Sequence, residues 1–155
     1  MNITDTTPTE SNLSGLDRKD FQKNINSRKT DLYILKNAQG MEVAVTNYGC
    51  AILSIMVPDK NGKFANVILG HDSIEHVINS PEPFLSTTIG RYGNRIANGK
   101  FTLYGEEHLL TVNNGPNSLH GGPTGFHARV WDAVQPNEST VIFNYTSADG
   151  EEGLP

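Results

Sequence analysis

Short apolar runs, broken at close intervals by turn residues, limit what this chain can fold into. Met41, Val43 and Val45 alternate with Glu42, Ala44 and Thr46, the two-residue period of a half-buried strand. Leu32 and Ile34 begin the strand before it, and Asn37-Ala38-Gln39-Gly40 supplies the turn, so the pair reads as a hairpin. Asn47-Tyr48-Gly49 breaks the chain. Residues 51–57 then read as a buried strand, Pro58-Asp59-Lys60-Asn61-Gly62 as a turn, and 64–69 as a returning strand. Two more hairpins follow. One joins 101–103 to 108–112 around Tyr104-Gly105-Glu106; the other joins 130–134 to 141–145 around Gln135-Pro136-Asn137-Glu138. Only residues 72–78 carry a helical pattern, with Asp72 as cap, Glu75 three residues on, and Ile74, Val77 and Ile78 on one face. Ser80-Pro81-Glu82-Pro83 ends it. Together these predict an all-β, mainly antiparallel architecture.

The length of 155 residues fits one domain. Residues 1–27 are rich in Thr, Ser, Asn and Asp and poor in large apolar side chains. They read as a polar, disordered tail with one helical turn around residues 16–21, leaving 28–155 as the domain. Twelve basic against seventeen acidic residues give a net charge of -5, which argues against nucleic acid as a partner. No basic amphipathic stretch suggests a membrane surface. The start of the chain lacks the charged and apolar run of a signal peptide, so the cytoplasm is the expected location. One cysteine, Cys50, rules out an internal disulfide framework, and its apolar neighbours suggest a buried small side chain.

The chemistry is concentrated in residues 90–122. Arg91 and Arg95 lie in a Gly- and Asn-rich turn, and His120 is followed directly by Gly121 and Gly122. A guanidinium fork suits vicinal hydroxyls or a carboxylate. Histidine gains or loses a proton near neutral pH. The glycines are expected to open space beside the His120 ring and let a ligand come close. Asn94, Asn98, Asn113, Asn114 and Asn117 add amide donors and acceptors, so the surface suits a neutral polyhydroxylated ligand. Arg95 otherwise reads as a surface residue pairing with an acid, and Arg91 as a brace on backbone carbonyls. His71, His76, His108 and His127 lack the setting of His120 and read as structural or exposed. Trp131 reads as core rather than as a stacking platform. No spacing among the histidines, Cys50 and the acids resembles a zinc site, so no metal is expected. No Ser-His-Asp motif is recognisable.

The order GRYGNRI, GKFTLYG, LHGGPTGF and Trp131 resembles the N-terminal half of the aldose 1-epimerases, or galactose mutarotases. The resemblance runs from about residue 30 to the end, through NYGCAILSIMVPDKNGKFANVILG and the closing SADGEEGLP. It implies a large β-sandwich, here cut to about half, and interconversion of the α and β anomers of an aldose such as glucose or galactose. A base takes the proton of the anomeric hydroxyl while an acid protonates the ring oxygen. The ring opens, C1–C2 rotates, and the ring closes on the other face. No cofactor is needed, since no electrons or groups leave the sugar. The resemblance places sugar hydroxyls at Asn94 and Arg95, gives Arg91 a supporting place, and sets His120 beside the ring oxygen and anomeric carbon as catalytic residue and sugar contact. It makes the Asp-Gly-Glu-Glu-Gly string around Asp149, Glu151 and Glu152 a structured loop near the site.

In the family a second histidine, an aspartate and a catalytic glutamate lie in the second half. A chain matching the first half alone reads as a fragment or truncated relative, with little or no mutarotase activity by itself. Its open sandwich would leave strand edges liable to associate. The alternative reading is a non-catalytic carbohydrate-binding or self-associating half-domain. Neither the preferred aldose nor an oligomeric state follows from the residues.

Overall fold

A computed structural model of the chain describes residues 12–155. A 3-10 turn, Arg18–Phe21, leads into two short paired strands, β1 (Asn24–Ile25) and β2 (Arg28–Lys29). The main sheet follows in the order of the chain: β3 (Leu32–Lys36), β4 (Glu42–Thr46), β5 (Ile52–Pro58) and β6 (Phe64–Asn66), all antiparallel. One short helix, α1 (Ile74–Ile78), covers this sheet. After it come β7 (Arg95–Ile96), β8 (Lys100–Leu103), β9 (Glu106–Leu109), β10 (Ser118–Leu119), β11 (Asp132–Asn137) and β12 (Thr140–Asn144). These pair as β7–β10, β8–β9 and β11–β12, each antiparallel. The all-β expectation holds.

The hairpins form because their turns carry their own chemistry. The Asn37 side chain accepts from Gln39 N–H (3.0 Å) and Met41 N–H (2.9 Å). Asp59 does the same for Asn61 (2.8 Å) and Lys63 (2.9 Å) between β5 and β6. Such side chains mimic a backbone turn. β8 and β9 meet at Tyr104-Gly105, both at positive φ (51° and 89°), a two-residue connection that matches strand twist. Between β11 and β12 the turn falls at Glu138-Ser139, later than the sequence suggested, because the Asn137 side chain holds Ser139 N–H (3.0 Å). The helix also starts one residue late. Ser73, not Asp72, is the cap and accepts from His76 N–H, while Asp72 pairs with the His76 ring.

The core gathers Phe21, Leu32, Ala44, Ala51, Leu53, Ile74 and Val77, ringed by Leu16, Ile25, Ile34, Tyr48 and Ile78. Two sequence expectations change here. First, the supposed polar tail is part of the fold from residue 12 onward: Phe21 is 0% exposed. Its carbonyl accepts from Thr30 Oγ1 (2.7 Å), and Arg18 forks onto Asp31, with Nε to Oδ1 at 2.7 Å. A few buried apolar side chains anchor a segment whose composition is otherwise polar. Residues 1–11 of the expected tail lie outside the described residues. Second, β4 buries Glu42, Ala44 and Thr46, each 0% exposed, on the face opposite the expected one; of the expected apolar face Val45 is buried (6%) and Val43 half-buried. Phe21 clusters with the small Ala44 on that face. Buried Glu42 accepts from Ser14 N–H (3.1 Å) at Oε1, while its Oε2 has no hydrogen-bond partner among the described residues and only the Lys36 ammonium at 3.8 Å to offset its charge.

The Asn47-Tyr48-Gly49 break is a junction. Asn47 is buried, and its amide donates to the carbonyls of Lys29 (3.0 Å) and Trp131 (2.9 Å). Its Oδ1 accepts from Asp31 N–H (2.8 Å), and its carbonyl accepts from Trp131 N–H (2.8 Å). One side chain thus ties three distant segments, satisfying every group it buries. The β11–β12 hairpin lies at the β3 edge through Lys36 N–H to Glu138 O (2.7 Å) and the Tyr33–Phe143 ring contact. The far end of the sheet carries exposed Val67 and Leu69, the latter 76% exposed.

Candidate functional site

The short ribbon β7–β10 positions the site. Its register sets Arg95 opposite Leu119 and so brings Asn94 against His120. The contact runs both ways. His120 N–H donates to the Asn94 carbonyl (3.0 Å), and Asn94 N–H donates to His120 Nδ1 (2.9 Å). A backbone N–H can only donate, so Nδ1 is an acceptor, and the neutral ring carries its proton on Nε2. Asn94 (φ 70°) and His120 (φ 56°) both sit in the left-handed region. Such residues cost about 1–3 kcal/mol each and concentrate where geometry is held for a purpose.

Arg95 is exposed and oriented by two asparagines. Its Nε donates to Asn114 Oδ1 (2.9 Å), and Nη1 approaches Asn94 Oδ1 (3.4 Å). The guanidinium is aimed without an acidic partner at hydrogen-bonding distance among the described residues. Asn94, Arg95 and His120, expected together from sequence, lie together.

Arg91 is directed elsewhere. It donates to the carbonyls of Pro155 (2.9 Å), Leu154 (2.6 Å) and Ala148 (3.4 Å), which is the brace on backbone carbonyls. The asparagines, too, serve the scaffold more than a ligand. Asn113 brackets Leu119, donating to its carbonyl (3.0 Å) and accepting from its N–H (2.7 Å). Asn117 Oδ1 receives the Asn98 N–H (3.2 Å).

The glycines after His120 do not open space for a ligand. A Cβ on Gly121 would stand 1.8 Å from the Gly90 carbonyl oxygen, and one on Gly122 would stand 2.6 Å from Glu152 Oε2. Both are places where other parts of the protein come close. Glu152 receives Thr124 N–H (3.0 Å) and the Thr124 hydroxyl. Glu151 is held by Arg129 (2.7 Å), the Tyr145 hydroxyl (2.5 Å) and Ser147. Burial pushes the Glu151 carboxyl up, but Ser147, Tyr145 and the charges of Arg129 and Arg91 outweigh it and hold it below its ordinary value. The Asp-Gly-Glu-Glu-Gly string is therefore an ordered loop docked on the His120 turn.

Trp131 belongs to an aromatic cluster with Phe126 and Tyr145, and its Nε1 donates to the Phe126 carbonyl (3.2 Å). His108 stacks on Phe101. Cys50 is partly buried and its thiol is pushed up to about 12 by burial, so it stays protonated and unreactive. Sequence reasoning missed Phe84, whose ring lies edge-on to His120 at 4.8 Å, and left His127 as structural or exposed where the fold buries it. Phe84 carries no motif, and a histidine's burial depends on what folds around it.

No helix among the described residues is long and apolar enough to cross a membrane. No three His, Cys, Asp or Glu side chains among them gather to hold a metal.

Known proteins share this fold. The chain is similar to the galactose mutarotase of Bos taurus, 42% identical over 115 residues, covering 74% of this chain and 33% of that protein. It is similar to the aldose 1-epimerase of Escherichia coli K12, 40% identical over 124 residues, covering 80% of this chain and 36% of that protein. Among solved structures, the GalM/aldose epimerase homologue from C. elegans superposes with a TM-score of 0.76 at 32% identity, covering 81% of this chain and 38% of the other. The galactose 1-epimerase from Lactobacillus acidophilus NCFM gives 0.71 at 29% identity, covering 84% and 38%. The fold is thus of the galactose mutarotase type. The chain spans about a third of the length of these curated relatives. Residues 31–155 match the family model for aldose 1-epimerase, and the chain belongs to the aldose 1-epimerase family.

Proposed function

We propose that this chain carries the sugar-gripping part and one proton-transferring group of an aldose 1-epimerase acting on hexoses such as glucose or galactose. The observation that carries the reading is the Asn94–His120 contact. It occupies Nδ1 and leaves the protonated Nε2 as the nitrogen available to a ligand. An Nε2–H donor beside a sugar ring oxygen assists ring opening, and proton transfer of this kind contributes on the order of 10²–10⁴ in rate. The Arg95 fork, fixed by Asn114 and Asn94, takes vicinal hydroxyls. Arg91 supports the site from behind by holding residues 148–155.

Ring opening also needs a base for the anomeric hydroxyl. Glu151 and Glu152 are engaged by Arg129, Tyr145, Ser147 and Thr124. That observation favours, as a second reading, an isolated chain that binds aldoses without interconverting them.

Polarimetry separates the two. Freshly dissolved α-D-glucose and α-D-galactose are followed with the 155-residue protein, and with a chimera carrying residues 31–155 in place of the matching segment of the E. coli aldose 1-epimerase. The expected result is a buffer-like rate for the short chain and a rate well above buffer for the chimera, lost in its His120→Ala variant. A folded, active chimera that His120→Ala leaves unchanged removes His120 from the reaction.

A further inference from the structure

His127 has no part in the reaction as described, yet it is buried beside the site. It is 4% exposed, and its Nδ1 has no hydrogen-bond partner among the described residues. An unpaired buried ring nitrogen is costly and calls for a reason. Burial pushes its pKa down, so the ring is neutral; the Pro123 carbonyl and Glu152 oppose this, while His120 and Arg129 reinforce it.

Between the two histidines stands Phe84. Its ring meets His127 edge-on at 4.5 Å (62°) and His120 edge-on at 4.8 Å (66°). Both distances lie in the range where edge-to-face aromatic pairs attract. Phe84 is backed by the buried ring of His127. A Cβ on Gly49 would stand 2.2 Å from the His127 carbonyl oxygen, so the Gly49 backbone packs closely against that of His127. His120, by contrast, is half-buried at the end of a two-residue strand, with one hydrogen bond on its ring. That bond fixes the direction of Nδ1 only if the ring plane is held.

We infer that Phe84 and His127 are positioning residues: His127 backs Phe84, and Phe84 holds the His120 ring in the orientation at which Nδ1 meets the Asn94 N–H. The catalytic role of His120 rests on the function proposed above; the positioning does not. The test therefore reads the ring itself.

Long-range proton–nitrogen correlation spectra of the ¹⁵N-histidine-labelled 155-residue protein report the tautomer of each imidazole. In the parent chain His120 is expected as a single tautomer, protonated on Nε2, with a slowly exchanging Asn94 amide. Phe84→Leu and His127→Ala are each expected to give mixed tautomers at His120 and to speed Asn94 amide exchange at least tenfold. His127→Phe keeps a flat ring behind Phe84 and is expected to restore both. Phe84 is half-buried with no hydrogen bond to lose, so Phe84→Leu decides the matter if His127→Ala does not fold. A folded Phe84→Leu protein that keeps the single tautomer and slow amide overturns the inference. So does a folded His127→Phe protein that behaves as Phe84→Leu does. A retained tautomer together with an inactive chimera would instead count against the catalytic reading of His120 and leave the positioning intact.

Discussion

The carboxylate of Glu152 occupies the space where a side chain on Gly122 would begin, 2.6 Å from the Cβ position. Gly121 is tighter still, 1.8 Å from the Gly90 carbonyl, and that neighbour is backbone and cannot swing away. Gly62 has a similar φ (80°) but nothing within 4 Å. Alanine at Gly62 should cost only the left-handed penalty, about 1 kcal/mol. Gly122→Ala should cost more, because Glu152 must give up Thr124. Gly121→Ala should cost most. Urea midpoints of the three variants check this order; equal losses would mean that the glycines matter for conformation alone.

Arg91 should prove a brace. Its fork reaches three carbonyls between Ala148 and Pro155, so Arg91→Ala should loosen residues 148–154 locally. Global stability should fall by about 1 kcal/mol or less, since the group is exposed. Hydrogen exchange at Gly150, Glu151 and Gly153, whose amides are bonded within the loop, is the readout. Arg91→Lys should recover little, because an ammonium cannot span the fork. Unchanged exchange in this loop would remove Arg91 as its support.

The hairpins were legible because their causes are local. Asn37, Asp59 and Gly105 sit within a few residues of the bonds they make, so a short window holds the whole explanation. The Asn94, Arg95 and His120 grouping was legible from motif order. What was hidden depends on distant partners. Phe21 lies in a polar stretch and is buried only because β4 offers Ala44 and α1 offers Val77. The Gly121-Gly122 pair reads as open space until Gly90 and Glu152 are seen to fill it. Asn113 and Asn114 read as ligand donors until Leu119 and Arg95 claim them. A polar residue's free bonds cannot be counted before its neighbours are known.

Arg95 is exposed and its bonds are to two asparagines, so Arg95→Ala should shift stability by no more than about 0.5 kcal/mol. Binding should suffer instead. In titrations of D-galactose into the 155-residue protein, followed at the His120 ring signals, Arg95→Ala should abolish the shifts seen with the parent. Asn114→Ala should weaken them less, since it frees the guanidinium without removing it. A variant that unfolds would make Arg95 a structural brace rather than a sugar contact.

Acid should weaken the fold in two steps, and the two can be assigned. His127 is held neutral by burial, its pKa below the ordinary 6.5. As pH falls past 6.5 the unfolded chain takes up this proton first, so stability declines from there. Glu151 is raised by burial but lowered further by Ser147, Tyr145, Arg129 and Arg91, and ends below its ordinary 4.5. Its contribution is present above 4.5 and is lost as pH falls through the depressed folded value. Asp31, raised by partial burial but lowered further by Arg18, is also depressed and adds to this second step below its ordinary 3.8. Urea midpoints measured across pH 3–8 should therefore fall first below about 6.5 and again below about 4.5. His127→Phe should flatten the first decline and leave the second. Glu151→Gln should lower stability at neutral pH and shrink the second decline while leaving the first. A His127→Phe protein that keeps the full upper decline would show that the buried imidazole is not its source.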